Sequence, residues 1–295
     1  MSGRSICVVG SINTDTTYTV RQLPSPGETI LADTSQVSHG GKGANQAAAA
    51  AASGGSVAMV ASVGDDENGT GAVHDLEVRG IDVDGIAHTP GAPTGSAVIV
   101  VSGDGENTIV VDPGANHALE TAWVEQHVGR LDPGVILAQL EIPTTALVAA
   151  ASAAPSATFV LNPAPMPPDA SALEDLLDTV DVLVPNRTEL AQLVDLPEPW
   201  TADEIDHCAS VLGFDGTLVV TLGSDGAVIY AGSSRIGAVP AIDVDAIDTS
   251  GAGDAFCGGL AHRLALGEPM EDAVRRATEL AGASTTHRGA RLPLG

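Results

Sequence analysis

The residues best placed to do chemistry lie in Asp248-Thr-Ser-Gly-Ala-Gly-Asp254. This run follows a β-like stretch, Ile242–Ile247, and opens a helix marked by Phe256, Leu260 and Leu264 at i, i+4 and i+8. Gly251 and Gly253, with Ala252 between them, permit a tight turn that presents successive backbone N–H groups at a helix N-terminus. Donors and helix dipole together favour an anion there. A bound phosphate would repel Asp254 on the first turn, so that residue needs a reason. One reason is capping of the helix. The other, favoured by Asp248 six residues earlier, is a general base that deprotonates a hydroxyl attacking the phosphate.

Three more segments carry polar groups at the ends of apolar runs. Gly40-Gly-Lys-Gly-Ala-Asn45 also opens a helix, and the glycines around Lys42 let backbone approach a ligand or act as a hinge. It is neither a Walker A loop nor a dinucleotide fingerprint. Gly10-Ser-Ile-Asn13-Thr-Asp15 sits at the carboxyl end of the first strand, where open α/β sheets bind ligands. Asn13 and Asp15 can bind substrate hydroxyls there, or close Asx turns. In Pro185-Asn-Arg-Thr-Glu189, Asn186 and Glu189 share a helix face. They suit the water shell of Mg²⁺ or a capping box. Gln139-Leu-Glu141 and Thr221-Leu-Gly-Ser-Asp-Gly226 follow further strand-like runs. The eight histidines form no metal spacing, and no Ser/His/Asp set or G-x-S-x-G elbow is present.

Elements that alternate strand and helix must position these segments. Strand-like runs fall at Ile6–Val9, Val57–Ser62, Val135–Ala138, Thr158–Leu161, Val182–Val184 and Leu218–Thr221. Helical patterns fall at Ala44–Ser53, Gly71–Arg79, Thr144–Ala153, Ala170–Asp178 and Asp203–Leu212. Apolar runs without polar alternation suit strands buried on both faces, so a mostly parallel sheet covered by helices is expected. Two segments break the rhythm. Thr19–Ser38 is rich in Pro, Thr and Ser, and Thr94–Val111 reads as strands Ser96–Val101 and Asn107–Val111 joined by Gly103-Asp-Gly-Glu106. Together they predict a small β-sheet standing off one α/β body.

Composition narrows the function further. The 295 residues carry a formal net charge of −26, with eleven Arg and a single Lys. Nucleic acid and anionic membrane surfaces are disfavoured as partners, because neutralising phosphates requires basic residues. No apolar run approaches the roughly 18 residues of a membrane span, and Ile6–Val9 is too short for a signal-peptide core. Three scattered cysteines suggest reduced thiols and a cytoplasmic location. Abundant carboxylates with little Lys suggest adaptation to a salt-rich cytoplasm, where a Debye length of about 3 Å at molar salt mutes their repulsion.

In order along the chain, VVGSINTD, PSPGET, GGKGANQAAAA, GDGENTIVVDPGAN, QLEIP, LNPAP, PNRTE, TLGSDGA, DTSGAGDAF and HRGA resemble the ribokinase branch of the PfkB carbohydrate-kinase family. The resemblance spans Val8 to about Ala290. It implies a three-layer ribokinase-like α/β fold, a single domain whose lid comes from segments about 15–39 and 94–112, and often a homodimer paired through lids. It implies transfer of the γ-phosphoryl of ATP to a sugar hydroxyl, with the sugar-site string favouring a pentose such as ribose at its 5-hydroxyl. Asp254 would be the base and the N–H groups of Gly251, Ala252 and Gly253 the anion hole. Asn13, Asp15, Gly41, Lys42, Asn45 and Glu141 would hold the sugar. Asn186, Glu189, Thr221, Gly223, Ser224 and Gly226 would serve ATP and Mg²⁺. Asp248 and the carbonyls of Ser250, Ser284, His287 and Gly289 would hold an activating K⁺. After Gly289 the chain runs Ala-Arg291-Leu-Pro-Leu, less polar than that resemblance leads one to expect. Ribose 1-phosphate, nucleosides, fructose-type sugars and 2-keto-3-deoxygluconate are alternative acceptors. A non-catalytic sugar or nucleotide sensor is the alternative of a different class, though it would have no use for a base. A dinucleotide dehydrogenase is disfavoured because no glycine fingerprint follows the first strand.

Overall fold

The computed structural model describes residues 5–293. Its strands are β1 (Ile6–Val9), β2 (Asn13–Thr19), β3 (Thr34–Gly40), β4 (Val57–Gly64), β5 (Asp82–Thr89), β6 (Gly95–Val101), β7 (Asn107–Asp112), β8 (Val135–Gln139), β9 (Thr158–Asn162), β10 (Val182–Leu183), β11 (Thr217–Thr221), β12 (Ala227–Ala231) and β13 (Ser234–Val239). Its helices are α1 (Lys42–Ala52), α2 (Glu67–Val78), α3 (Thr121–Leu131), α4 (Thr144–Ala153), α5 (Glu174–Leu177), α6 (Arg187–Val194), α7 (Ala202–Leu212), α8 (Ala252–Ala265) and α9 (Met270–Ser284).

Nine strands form one sheet in the order β13-β12-β11-β10-β9-β8-β1-β4-β5. From β5 to β11 neighbours run parallel, and β12 and β13 add antiparallel at the far edge. The apolar runs explain this burial. Ile6 and Val8 face a core shared with α1, α2, α8 and α9, while Cys7 and Val9 face a core shared with α3 to α7. Alternate side chains point to opposite faces, so both sides of β1 need apolar residues and a helical cover. This is the three-layer α/β architecture the patterning predicts. Truncating one wholly buried side chain such as Leu260 to Ala should cost about 2–5 kcal/mol.

Small residues set one contact that the site depends on. A Cβ placed on Gly258 of α8 would stand 2.4 Å from the Gln46 carbonyl oxygen and 2.7 Å from the Ala49 Cβ of α1. The alanines of α1 and Gly258 therefore let the two helices approach more closely than larger side chains permit. Their first turns come face to face as a result.

The smaller sheet has the order β3-β2-β6-β7. Its β6–β7 hairpin turns through Ser102–Glu106, as the Gly-Asp-Gly signal predicts. The other segment differs from expectation: β2 begins at Asn13, β3 begins at Thr34, and residues 20–33 between them form no regular strand. The Pro and Gly residues there withhold ladder donors and favour turns. Ile242–Ile247 is also not a strand. The chain leaves the sheet at Pro240, which has no N–H for a ladder, and runs on irregularly to Asp248. Ala170–Asp178 divides into a 3₁₀ turn and the short α5.

Candidate active site

Asp254 lies in the first turn of α8, is buried, and receives two amide donors from α1. Asn45 Nδ2 donates to its Oδ2 and Gln46 Nε2 to its Oδ1, each at 3.1 Å. Burial pushes the Asp254 carboxyl above the usual range, while Lys42 and the two amides pull the other way. A carboxylate so held is fixed in direction and more basic than an exposed one, which suits proton abstraction.

Gly251 caps the helix with φ +73°, a left-handed conformation that glycine adopts without strain. A Cβ there would also stand 2.4 Å from the Ala290 carbonyl oxygen. Tight turning has a consequence for the anion hole: the Ala252 N–H donates to the Thr249 carbonyl at 3.2 Å. The three-amide hole is thus corrected to two amides, since Gly251 and Gly253 N–H have no hydrogen-bond partner among the described residues. The space in front of Gly253 is open.

Two connected hollows meet at this turn. The larger, about 500 Å³, is lined by Thr221, Gly223, Ser224 and Gly226, by Ile242–Val244, and by Thr278, Ala281 and Gly282 of α9. All the expected nucleotide-loop residues line it. The segment that failed to become a strand forms its opposite wall. The smaller, about 230 Å³, contains Lys42, Asn162, Asn186, Glu189, Gly251, Gly253 and Asp254. Lys42 therefore shares a chamber with the helix turn. Burial alone would lower its ammonium, but Asp254, Glu141 and Glu189 outweigh this and hold it above its ordinary value, firmly charged.

Asn186 and Glu189 form the capping box that was left open above. Glu189 N–H donates to Asn186 Oδ1 at 2.8 Å, Asn186 N–H to Glu189 Oε2 at 2.8 Å, and Asn186 Nδ2 to Glu189 Oε1 at 2.9 Å. Each Glu189 oxygen keeps a second lone pair, and burial pushes its carboxyl up. The pair fits Mg²⁺ through bridging water rather than by direct ligation. Among the described residues no group of three or more His, Cys, Asp or Glu could hold a metal ion.

Under the lid, Asn13 and Asp15 project from β2. Asn116 braces Asn13: its Nδ2 donates to Asn13 Oδ1 at 2.8 Å, and its Oδ1 accepts from the Ile12 N–H at 2.9 Å. The Asp15 carboxylate lies against Gly40, where a Cβ would stand 1.9 Å from Oδ2. Its Oδ1 is buried without a hydrogen-bond partner. Burial, with Glu141 and Asp254 repelling it, pushes the Asp15 carboxyl up to about 6, against the pull of Arg291. An orphaned buried acceptor is costly, and a ligand hydroxyl would satisfy it. Glu141 Oε2 accepts from Ser11 Oγ at 2.5 Å and from the Lys42 N–H at 3.0 Å, joining the end of β8 to the start of α1. The glycines of this loop serve the chain itself: Cβ atoms on Gly41 and Gly43 would stand 2.7 Å and 2.5 Å from the Asn13 and Ser11 backbone nitrogens.

The remaining expected residues gather behind the helix turn. Asp248 accepts from the Ser250 N–H at 2.9 Å and the Gly289 N–H at 2.8 Å. Burial pulls its carboxyl up, but these donors outweigh it and hold it below the usual range. Asp248 and Ile247 N–H both donate to the Thr285 carbonyl, which brings Ser284 and His287 to the adjacent turn. The Ser284 carbonyl accepts from the His287 N–H at 3.2 Å. The sequence reading assigns no role to Ser11, Gln46, Asn116, Gln139, Asn162 and Arg291, although it notes Gln139 at the end of its strand and Arg291 in the late segment. Gln46 and Gln139 stand inside recognised strings, so neighbourhood alone could have flagged them. Arg291 carried no such signal.

Comparison with known proteins agrees with this geometry. The pfkB family carbohydrate kinase model matches residues 4–294. The chain is 36% identical to a ribokinase of Haemophilus influenzae, covering 97% of this chain and 94% of the relative. It is 34% identical to a ribokinase of Schizosaccharomyces pombe, covering 97% and 93%. The Arabidopsis thaliana ribokinase solved with ribose and ATP superposes with a TM-score of 0.85 at 30% identity, covering 98% of this chain and 94% of that one. The chain belongs to the PfkB family of carbohydrate kinases.

Proposed function

We propose that this protein transfers the γ-phosphoryl of ATP to the 5-hydroxyl of ribose. One observation carries the reading: a buried carboxylate and two free glycine amides meet where a nucleotide-sized cleft opens into a chamber lined by Lys42, Glu189 and Asp254. Asp15, Asn13 and Glu141 hold the sugar hydroxyls and bring one toward Asp254. Asp254 takes the hydroxyl proton as the oxygen attacks the γ-phosphorus, and the bond from that phosphorus to the β-γ bridging oxygen breaks to release ADP. Gly251 and Gly253 N–H groups and the Lys42 ammonium stabilise the migrating group, a task of positioning and charge more than of covalent chemistry. When bound, Mg²⁺ would neutralise charge on the nucleotide phosphates, and Asn186 and Glu189 would hold it through its water shell. The Thr221–Gly226 loop and the 242–246 wall seat the nucleotide.

The pocket disfavours a phosphorylated acceptor. Asp15, Glu141 and Asp254 are mutually repulsive, and the nearby Arg291 guanidinium is spent on Asn45, Asp75 and the Gly40 carbonyl. By the family resemblance, a monovalent cation would sit behind the turn, held by Asp248, which retains a lone pair on each oxygen, and by the carbonyls of Ser250, Ser284, His287 and Gly289. This is the basis for proposing K⁺ activation. The lid face bearing Val37, Val98 and Val110, which lie in one row across the sheet and are all exposed, suits pairing with a second lid in a homodimer.

A coupled ADP-release assay in molar KCl tests the reading against ribose, 2-deoxyribose, ribose 1-phosphate, nucleosides and hexoses. Ribose should give the highest kcat/KM, and replacing KCl with NaCl at equal ionic strength should lower it. Preference for a phosphorylated sugar or a nucleoside would overturn the acceptor assignment. ADP release with none of these acceptors would return the chain to a sensor.

A further inference from the structure

The two amides that hold Asp254 could in principle face either way round, since an amide carries a donor and an acceptor at equal reach. Reversed, each would press a carbonyl oxygen against the carboxylate. The structure shows what prevents that. Asn45 Oδ1 accepts from Arg291 Nε at 2.9 Å, while its Nδ2 serves Asp254. A guanidinium has no acceptor, so the Asn45 atom facing it must be oxygen. Arg291 is itself fixed, with its side chain 7% exposed, Nη1 on Asp75 and Nη2 on the Gly40 carbonyl at 3.0 Å.

Gln46 is held from the sheet by another amide, Gln139, whose own Oε1 is buried without a partner. Its Oε1 accepts from Gln139 Nε2 at 2.6 Å, and its Nε2 serves Asp254 and, at 3.3 Å, Asn162 Oδ1. Asn162 Nδ2 in turn donates to the Val184 carbonyl at 3.0 Å. A backbone carbonyl has no donor, so this chain also ends on a group that cannot reverse. Gln46 and Gln139 are wholly buried, so water offers neither a substitute partner.

We propose that Arg291 and Gln139 are positioning residues: Arg291 sets the polarity of the Asn45 amide, and Gln139 occupies the Gln46 acceptor, so that both amides donate to Asp254. Nothing in this scheme requires either residue to touch substrate. Arg291 also closes a short path: Gly289 binds Asp248, Ala290 packs on Gly251, and Arg291 reaches Asn45. Within three residues the late segment touches the loop behind the anion hole, the hole itself and the amide that holds the base.

The inference rests on Asp254 being the base, yet it can be tested without turnover. The charged and titratable groups facing Asp254 are Lys42 on α1, Glu141 after β8, Glu189 on α6, Cys257 on α8 and Asp15 on the lid. None is altered by the variants. Carboxyl ¹³C NMR titration of the full chain, with Asp254→Asn identifying the resonance, reads the Asp254 midpoint directly. In Arg291→Ala and in Gln139→Leu the midpoint should rise by about one pH unit, the worth of a donor lost from a charged acceptor. In active protein, kcat on the acid side should fall about tenfold for each, with the sugar KM rising only in Arg291→Ala. Removing Arg291 also removes a charge, and an Asn45→Ala background separates the two effects. There Arg291→Ala should add no further shift if it acts through the amide. Gln139 lies in the sheet, so Arg291→Ala, on the late segment, decides the matter should Gln139→Leu fail to fold. An unmoved midpoint in Arg291→Ala, or an equal shift in the Asn45→Ala background, overturns the proposal. A shifted midpoint in a protein that phosphorylates no sugar would refute the kinase reading and leave the relay standing.

Discussion

The two walls of the acceptor pocket are built on opposite terms. On the side of α1 and α8, the Asp254 carboxylate has both oxygens bonded, its donors are themselves bonded, and the helices touch through Ala and Gly. On the lid side, the Asp15 Oδ1 atom is buried with no partner. One wall holds its reacting carboxylate without substrate, leaving only Gln139 Oε1 unpaired behind it, and the other is finished by substrate. The catalytic half thus pays its ordering cost during folding, while the binding half keeps an unsatisfied acceptor whose desolvation a bound hydroxyl relieves.

The sharpest way to break this comparison is Asp254→Asn. It preserves shape and removes the proton acceptor, so kcat should fall about 10²–10⁴-fold while sugar and ATP still bind. Single-turnover kinetics with isothermal titration check this, and near-normal turnover would deny Asp254 its role. On the lid side the expected effect is smaller and falls on KM. Asp15 titrates near 6 in the empty pocket, and only its charged form accepts hydroxyl donors well. Below that pH the sugar KM should climb by up to about tenfold per unit, and it should be flat above about pH 7. A sugar KM independent of pH between 5 and 7 would remove Asp15 from the pocket. The smallest effect is global. Melting temperature should drop on moving from molar to low KCl, since the net charge of −26 loses its screening. An unchanged melting temperature would count the acidic surface as ordinary.

Local sequence revealed the parts of this site that local physics builds. The Gly-Ala-Gly-Asp254 turn at a helix start, the Gly41 cap before α1 and the Gly103–Glu106 hairpin each follow from neighbours in the chain. So does the body of the sheet, because two-sided burial writes itself as apolar runs such as Val57–Val60. What stayed hidden joins residues far apart. Gln139 meets Gln46 across 93 positions and Arg291 meets Asn45 across 246, and no spacing rule reaches that far. The β5 and β13 edges were missed because they mix exposed and buried positions, and β12, buried at four of its five residues, because its apolar run is short. The 242–247 stretch misled for a simpler reason: its residue types suit a strand, but the sheet supplies no neighbour for it.

The solitary lysine has a practical corollary. With eleven arginines and no second lysine in the sequence, Lys42 Nζ is its sole ε-amine, and it stands in the chamber where phosphoryl transfer is proposed. Acylating reagents aimed at lysine side chains therefore find one address on the molecule, and at alkaline pH its protection by a bound ligand, read by peptide mapping apart from the α-amine, reports whether the chamber is filled.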